Sequence, residues 1–155
     1  MEINRQKTID VSAETLWRIV GIEFNEISKW APYVETSYAN PNLPKGQQGR
    51  VCQVTGFGEA LETLTELDDK NRKLAFAFTS KKNPFFIQNV DYTWQIKPHG
   101  DKQAQLFVDV NLKLMPVFKQ ILGRMVGNMI TERTDMLIDQ LKYFAETGNV
   151  KPIEA

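Results

Sequence analysis

The sequence predicts an α+β fold: a curved antiparallel sheet of about seven strands, two short helices near the start, and one long C-terminal helix across the concave face. Three observations carry this. Between residues 34 and 114, short apolar runs of period two alternate with turns rich in Gly, Pro, Asn and Asp. Two brief stretches of helical spacing precede them. After Pro116, a single helical pattern continues to the neighbourhood of Gly148 with no further proline inside it. The chain, residues 1–155, reads as one domain without repeats, low-complexity stretches or a linker.

The first strand is expected over 3–11, where Ile3, Ile9 and Val11 share a face. Ser12 then offers a hydroxyl to cap a helix whose first turn holds Glu14, well placed against the helix dipole. Leu16, Trp17 and Val20 make its apolar side, and Gly21 is a natural stop. A second short helix is expected over 25–30, closed by Pro32, which biases Ala31 away from helical geometry. Strands follow at 34–38, 50–55, 59–67, 73–79, 86–97 and 105–114. Gly56-Phe57-Gly58, Asp68-Asp69-Lys70-Asn71 and Pro98-His99-Gly100-Asp101 read as turns between them. In the 86–97 run, Val90, Tyr92, Trp94 and Ile96 alternate with Asn89, Asp91, Thr93 and Gln95; in the last strand Leu106 to Leu114 keep the same period. Successive strands joined by short turns make an antiparallel meander. The closing helix runs to about Glu146, on the order of 45 Å at ~1.5 Å per residue. Val126, Ile130, Leu137, Leu141 and Phe144 mark its core stripe. Its first half, 117–130, is apolar nearly all round, with Phe118, Met125 and Met129 opposite that stripe, and needs more cover than one sheet face provides.

Composition excludes several function classes. Lys+Arg and Asp+Glu number 19 each, whereas a nucleic-acid surface needs a basic excess to neutralise phosphates. No like-charge run exceeds two residues, so the sequence offers no polybasic membrane tether. Nothing approaches the ~18 consecutive apolar residues of a transmembrane segment, and the first residues lack the order of a secretory signal. Cys52 is the only cysteine, which fits a reducing compartment, and the expected location is cytoplasmic. His99 and Cys52 lie far apart and make no usual zinc site, and a lone turn histidine argues against histidine acid–base chemistry. No phosphate-cradling Gly-rich loop and no serine nucleophile elbow is present, so neither a metal nor another cofactor is expected.

The local sequence adds a resemblance. Leu16-Trp17, then Trp30-Ala31-Pro32-Tyr33-Val34, then Gly49-Arg50 ahead of a Gly-containing hairpin resembles the polyketide cyclase/dehydrase branch of the START-related superfamily. So does Glu62 through Leu67-Asp68-Asp69, followed by Leu74-Ala75-Phe76. Plant pathogenesis-related class 10 proteins and abscisic-acid receptors belong to the same group. The resemblance spans essentially the whole chain and implies the helix-grip fold, with an apolar ligand between the long helix and the concave sheet. It also implies two lid loops, here Gly56-Phe57-Gly58 and Lys82-Asn83-Pro84-Phe85; the receptors' typical lid sequence is absent from the first.

Candidate ligand-binding residues follow. Phe76, Phe78, Val90, Tyr92 and Trp94 fall on one face of two adjacent strands, either as a cavity wall or as plain core. Phe57 and Phe85, with Phe86, sit in or beside turns where polar residues are usual, as a moving lid or a static plug. Gly123 and Gly127, beside the stripe residue Ile130, leave room for a ligand or for close helix–sheet contact. The methionines at 115, 125, 129 and 136 fill either an adaptable pocket or the core. The resemblance places Arg50, Glu62 and Asp109 at charged positions of the cavity floor. The alternation of Val108 and Val110 instead turns Asp109 outward. The neighbouring strands joined at Gly56-Phe57-Gly58 allow Arg50 and Glu62 to meet across the pair.

The functional expectation is binding or carriage of an apolar small molecule, a lipid or polyketide-like ring system. The alternatives are a cyclase/dehydratase working through a cavity carboxylate or Tyr92, and a module that docks its apolar lid on a protein partner.

Overall fold

A computed structural model describes residues 1–153. Its sheet has seven strands in the order β1-β7-β6-β5-β4-β3-β2, and every pair is antiparallel. The strands are β1 (Glu2–Ile9), β2 (Val34–Ala39), β3 (Gly49–Val54), β4 (Gly58–Asp68), β5 (Lys73–Thr79), β6 (Ile87–Pro98) and β7 (Ala104–Leu114). β2 to β7 form the meander, and β1 closes it by pairing with β7. With α2 (Pro116–Thr147) laid across β1 and β7, this is the helix-grip α+β architecture.

Ser12 caps α1 (Ala13–Trp17) by accepting from the Thr15 amide at 3.1 Å. The helix then widens into one π-helical turn, Arg18–Ile22, and a 3-10 segment, Phe24–Lys29, carries the chain to β2. Leu16, Trp17, Ile19, Val20, Phe24 and Ile27 are all buried, so these short elements fold because they plug one end of the sheet. The Trp17 indole donates to Asp69 at 3.1 Å, tying the plug to the β4–β5 turn.

The concave face carries the core. Ile3, Leu74, Phe76, Val90, Trp94, Ile96 and the alternating residues of β7 from Leu106 to Leu114 are buried on it. α2 adds Val126, Ile130, Ile138 and Leu141; Leu137 and Phe144, expected in the stripe, are only partly buried. The difference follows from the 3.6-residue period, which brings Gly123, Gly127, Thr134 and Ile138 onto the packed side. Gly148 ends the helix in the left-handed region, at φ 76°, its amide donating to the Phe144 carbonyl at 2.8 Å. No helix among the described residues is long and apolar enough to cross a membrane.

Candidate functional site

Strand register builds the site in rows across the concave face. One row runs Arg50, Glu62, Phe78, Val90, Leu112, each directly opposite the next. The neighbouring row runs Leu64, Phe76, Tyr92, Val110, Ile3, and the next Leu74, Trp94, Val108. Phe76, Phe78, Val90, Tyr92 and Trp94 therefore share a surface because period-two alternation and register leave them no other side. Phe76 and Tyr92 stack at 5.1 Å between centroids, and Phe24 from the 3-10 segment meets Phe76 at 5.7 Å. Phe78 and Tyr92 are only partly buried, since α2 leans on β1 and β7 and leaves the β4–β6 side of the face less covered.

Arg50 and Glu62 form an ion pair, with side chains 6% and 14% exposed. The guanidinium also donates to the Phe24 carbonyl and lies 3.8 Å from the Phe24 ring centroid, with Phe76 5.5 Å away. Burying a cation this deeply is tolerable because a carboxylate, a carbonyl and an aromatic face all receive it. Two residues along on the same face, burial pushes the Cys52 thiol up to about 12, with the Glu62 charge adding to the shift and Arg50 opposing it. The thiol is neutral at physiological pH and a poor nucleophile. Burial likewise pushes the Tyr92 phenol to about 12; the Glu62 charge adds to this, while the neighbouring Thr134 hydroxyl and the Arg133 charge oppose it. Tyr92 is thus held as a neutral hydrogen-bonding group. The Trp94 indole nitrogen is buried with no hydrogen-bond partner among the described residues. Buried donors are rarely left so.

Several expected positions are corrected. Asp109 is exposed on the convex face, opposite Thr93 and Asn4, because it alternates with Val108 and Val110; it lies outside the concave site. Gly123 and Gly127 are buried against a side chain: a Cβ at Gly127 would stand 2.8 Å from Met1 Sδ, and one at Gly123 3.3 Å from Met1 Cε. Both glycines make room for Met1, whose ammonium donates to the Leu112 carbonyl at 2.9 Å. Phe57 is half-buried, packed on Phe78 at 6.1 Å with Arg133 of α2 above its ring. Phe85 stands outside, 76% exposed, meeting the Phe86 and Phe118 rings in edge-type pairs. Met125, Met129 and Met136 also face outward and fill neither pocket nor core. A groove of about 490 Å³ opens at the far end of the sheet, lined by Phe24, Asn25, Asn40, Gln47, Gln48 and Leu64 among others, away from α2.

Phe24 beneath Arg50, Thr134 beside Tyr92 and Arg133 over Phe57 were not singled out in the sequence. Thr134 carries a readable signal, as a polar residue one turn past Ile130 on the buried stripe; its hydroxyl donates to the Ile130 carbonyl at 2.8 Å. Phe24 and Arg133 carry none, since their partners come from distant strands. Among the described residues no cluster of His, Cys, Asp and Glu could hold a metal ion.

The family model for polyketide cyclase / dehydrase and lipid transport matches residues 1–143. The chain belongs to that family. No curated protein matches it. Solved structures share its fold: a START superfamily protein from Mycobacterium smegmatis is 17% identical with a TM-score of 0.72, covering 96% of this chain and 99% of that one. A protein from Thermus thermophilus is also 17% identical, at TM-score 0.73 and the same coverage. The di-domain ARO/CYC BexL of the BE-7585A biosynthetic pathway is 16% identical at TM-score 0.76, over 92% of this chain and 45% of that one. At these identities the family member and its structural neighbours share architecture alone.

Proposed function

We propose that this family member binds and carries an apolar small molecule, of the lipid or polyketide-ring class, between the concave sheet face and α2. Arg50, Glu62 and Trp94 supply its few polar contacts, and Phe57, Phe76, Phe78, Val90, Tyr92 and Ile130 its apolar walls. The observation that carries the reading is the unpartnered Trp94 indole N–H among the aromatic and aliphatic side chains of that face. An unpaired buried donor costs roughly 1–3 kcal/mol, and a ligand oxygen placed there recovers it. The family description, which includes lipid transport, supports the same class of cargo. The lone cysteine keeps the cytoplasm as its proposed location.

A second reading is a cyclase or dehydratase. It is favoured by one observation, the Tyr92 phenol kept neutral up to about 12 near Glu62. Such a phenol donates a hydrogen bond to oxygen that gains charge during ring closure, with no cofactor required.

Native mass spectrometry of the protein as purified tests the main reading, followed by titration with an apolar fluorescent naphthalene dye. The expected result is a co-purifying small molecule, or dye uptake that quenches tryptophan emission and falls at least about tenfold in Trp94→Ala. An apo mass together with no dye uptake overturns it. Turnover of a linear polyketide mimic that is lost in Tyr92→Phe moves the assignment to the second reading.

A further inference from the structure

Four large apolar side chains of α2 stand outside the fold. Val117, Ile121, Met125 and Met129 recur every fourth residue, which sets them on one ridge of the helix. All four are exposed, Ile121 at 72%. The opposite side of the same turns, with Gly123, Val126, Gly127 and Ile130, is the side that packs. The ridge continues into the β5–β6 loop. There Phe85 meets Phe118 edge-on at 5.2 Å, and the Phe86 ring stacks on Phe118 at 4.9 Å. Nothing in the core needs these outward side chains, and their exposure costs solubility.

The charges carried by the two segments that form the ridge are one-sided. Segments 80–88 and 115–131 contain Lys81, Lys82, Lys119 and Arg124 and no carboxylate, in a chain whose formal charge is zero. Among the described residues none of these four joins an ion pair. The first acid along the helix is Glu132, where the exposed apolar ridge gives way to a charged outer face.

We propose that this surface docks on an anionic lipid bilayer, with the ridge and Phe85 entering the interfacial layer and the four cations at headgroup level. An apolar helix face flanked by Lys and Arg is the chemistry of an interfacial helix, and here the fold holds that helix ready-made. Each cation near an anionic leaflet strengthens binding about fivefold. A second copy fits poorly, because a two-fold interface would set these cations against their own images with no carboxylate in the patch to meet them. Protruding side chains on a convex ridge suit a fluid phase that closes around them, without a preformed complementary groove. The sequence has no polybasic run; the fold brings the β5–β6 loop, which carries Lys81 and Lys82, to the start of α2 through Phe85 and Phe86 on Phe118, with the Lys82 side chain reaching back over Gly58. The proposal goes beyond small-molecule binding and does not depend on the cargo.

Sedimentation of the full chain with vesicles tests it, using phosphatidylcholine alone and phosphatidylcholine mixed two to one with phosphatidylglycerol. Binding is expected to the mixed vesicles and to weaken in about 1 M salt, where the screening length is ~3 Å. Ile121→Glu, and separately Lys81→Glu with Lys82→Glu, should each weaken it at least about tenfold without changing the melting temperature. Failure to sediment with anionic vesicles, or undiminished binding by Ile121→Glu, overturns the proposal. A concentration-dependent dimer abolished by Ile121→Glu overturns it in favour of a second copy. Cargo is read separately by native mass spectrometry, so docking and small-molecule binding can each fail alone.

Discussion

Glu62→Gln removes the charge that faces the buried Arg50 guanidinium while keeping shape and one acceptor oxygen. Stranding one member of a buried ion pair costs about 3–5 kcal/mol. Here the guanidinium keeps the Phe24 carbonyl and the face of the Phe24 ring, 3.8 Å from its centroid, so the loss should fall to about 2–3 kcal/mol. For a chain of this size, each kcal/mol moves the melting temperature by about 2–4 °C, which predicts a drop of roughly 5–10 °C. Urea unfolding with an unchanged slope would confirm that stability, and not denatured-state compactness, has changed. The double variant Arg50→Met with Glu62→Leu, compared with its own two single variants, makes a complete cycle. If desolvation governs the pair, it should be more stable than either single variant and within about 1–2 kcal/mol of the parent. A Glu62→Gln shift below about 0.5 kcal/mol, the size of an ordinary surface change, would refute the reasoning.

Other expectations test the packing and the ionisable groups. Cys52 is neutral when folded up to about 12 but ionises from its ordinary 9.0 when unfolded, so stability is full below pH 9 and falls between 9 and about 12. The slope of that fall, up to about 1.4 kcal/mol per pH unit, should shrink in Cys52→Ala when urea midpoints are compared at pH 8 and pH 10.5 (about the middle of the window). Gly49→Ala sets a methyl 2.6 Å from the Glu62 carbonyl oxygen in the paired strand and should cost about 2 kcal/mol or more in a thermal melt. Gly123→Ala meets only the end of the flexible Met1 side chain at 3.3 Å and, with ~1 kcal/mol of helix propensity gained, should be neutral or stabilising. Trp94→Phe deletes the unpartnered donor; the ligand-free protein should melt no more than about 2–4 °C lower, while dye affinity falls, and unchanged affinity would remove Trp94 from the site.

How much of this was legible depends on the range of the interactions. Strand periods, turn residues and the Ser12 cap are local, and they placed every strand and both ends of α2 within a residue or two. Alternation also decided which residues share the concave face, and it turned Asp109 outward against the resemblance. The sequence likewise showed that the first half of α2 has more apolar surface than one sheet face can cover. Helix phase already set Val126 on the packed stripe and Met125 opposite it, as found, but it did not say what lies on that surplus, because the neighbours of the outer face come from other segments. The Phe24 face beneath Arg50, Met1 in the space left by Gly123 and Gly127, and Phe85 and Phe86 of the β5–β6 loop on Phe118 of α2 each join segments far apart in the chain. Such pairings exist only once the sheet has curved and the helix has crossed it. Local periodicity therefore determined the architecture and the facing of side chains, while tertiary packing alone decided which of them became partners.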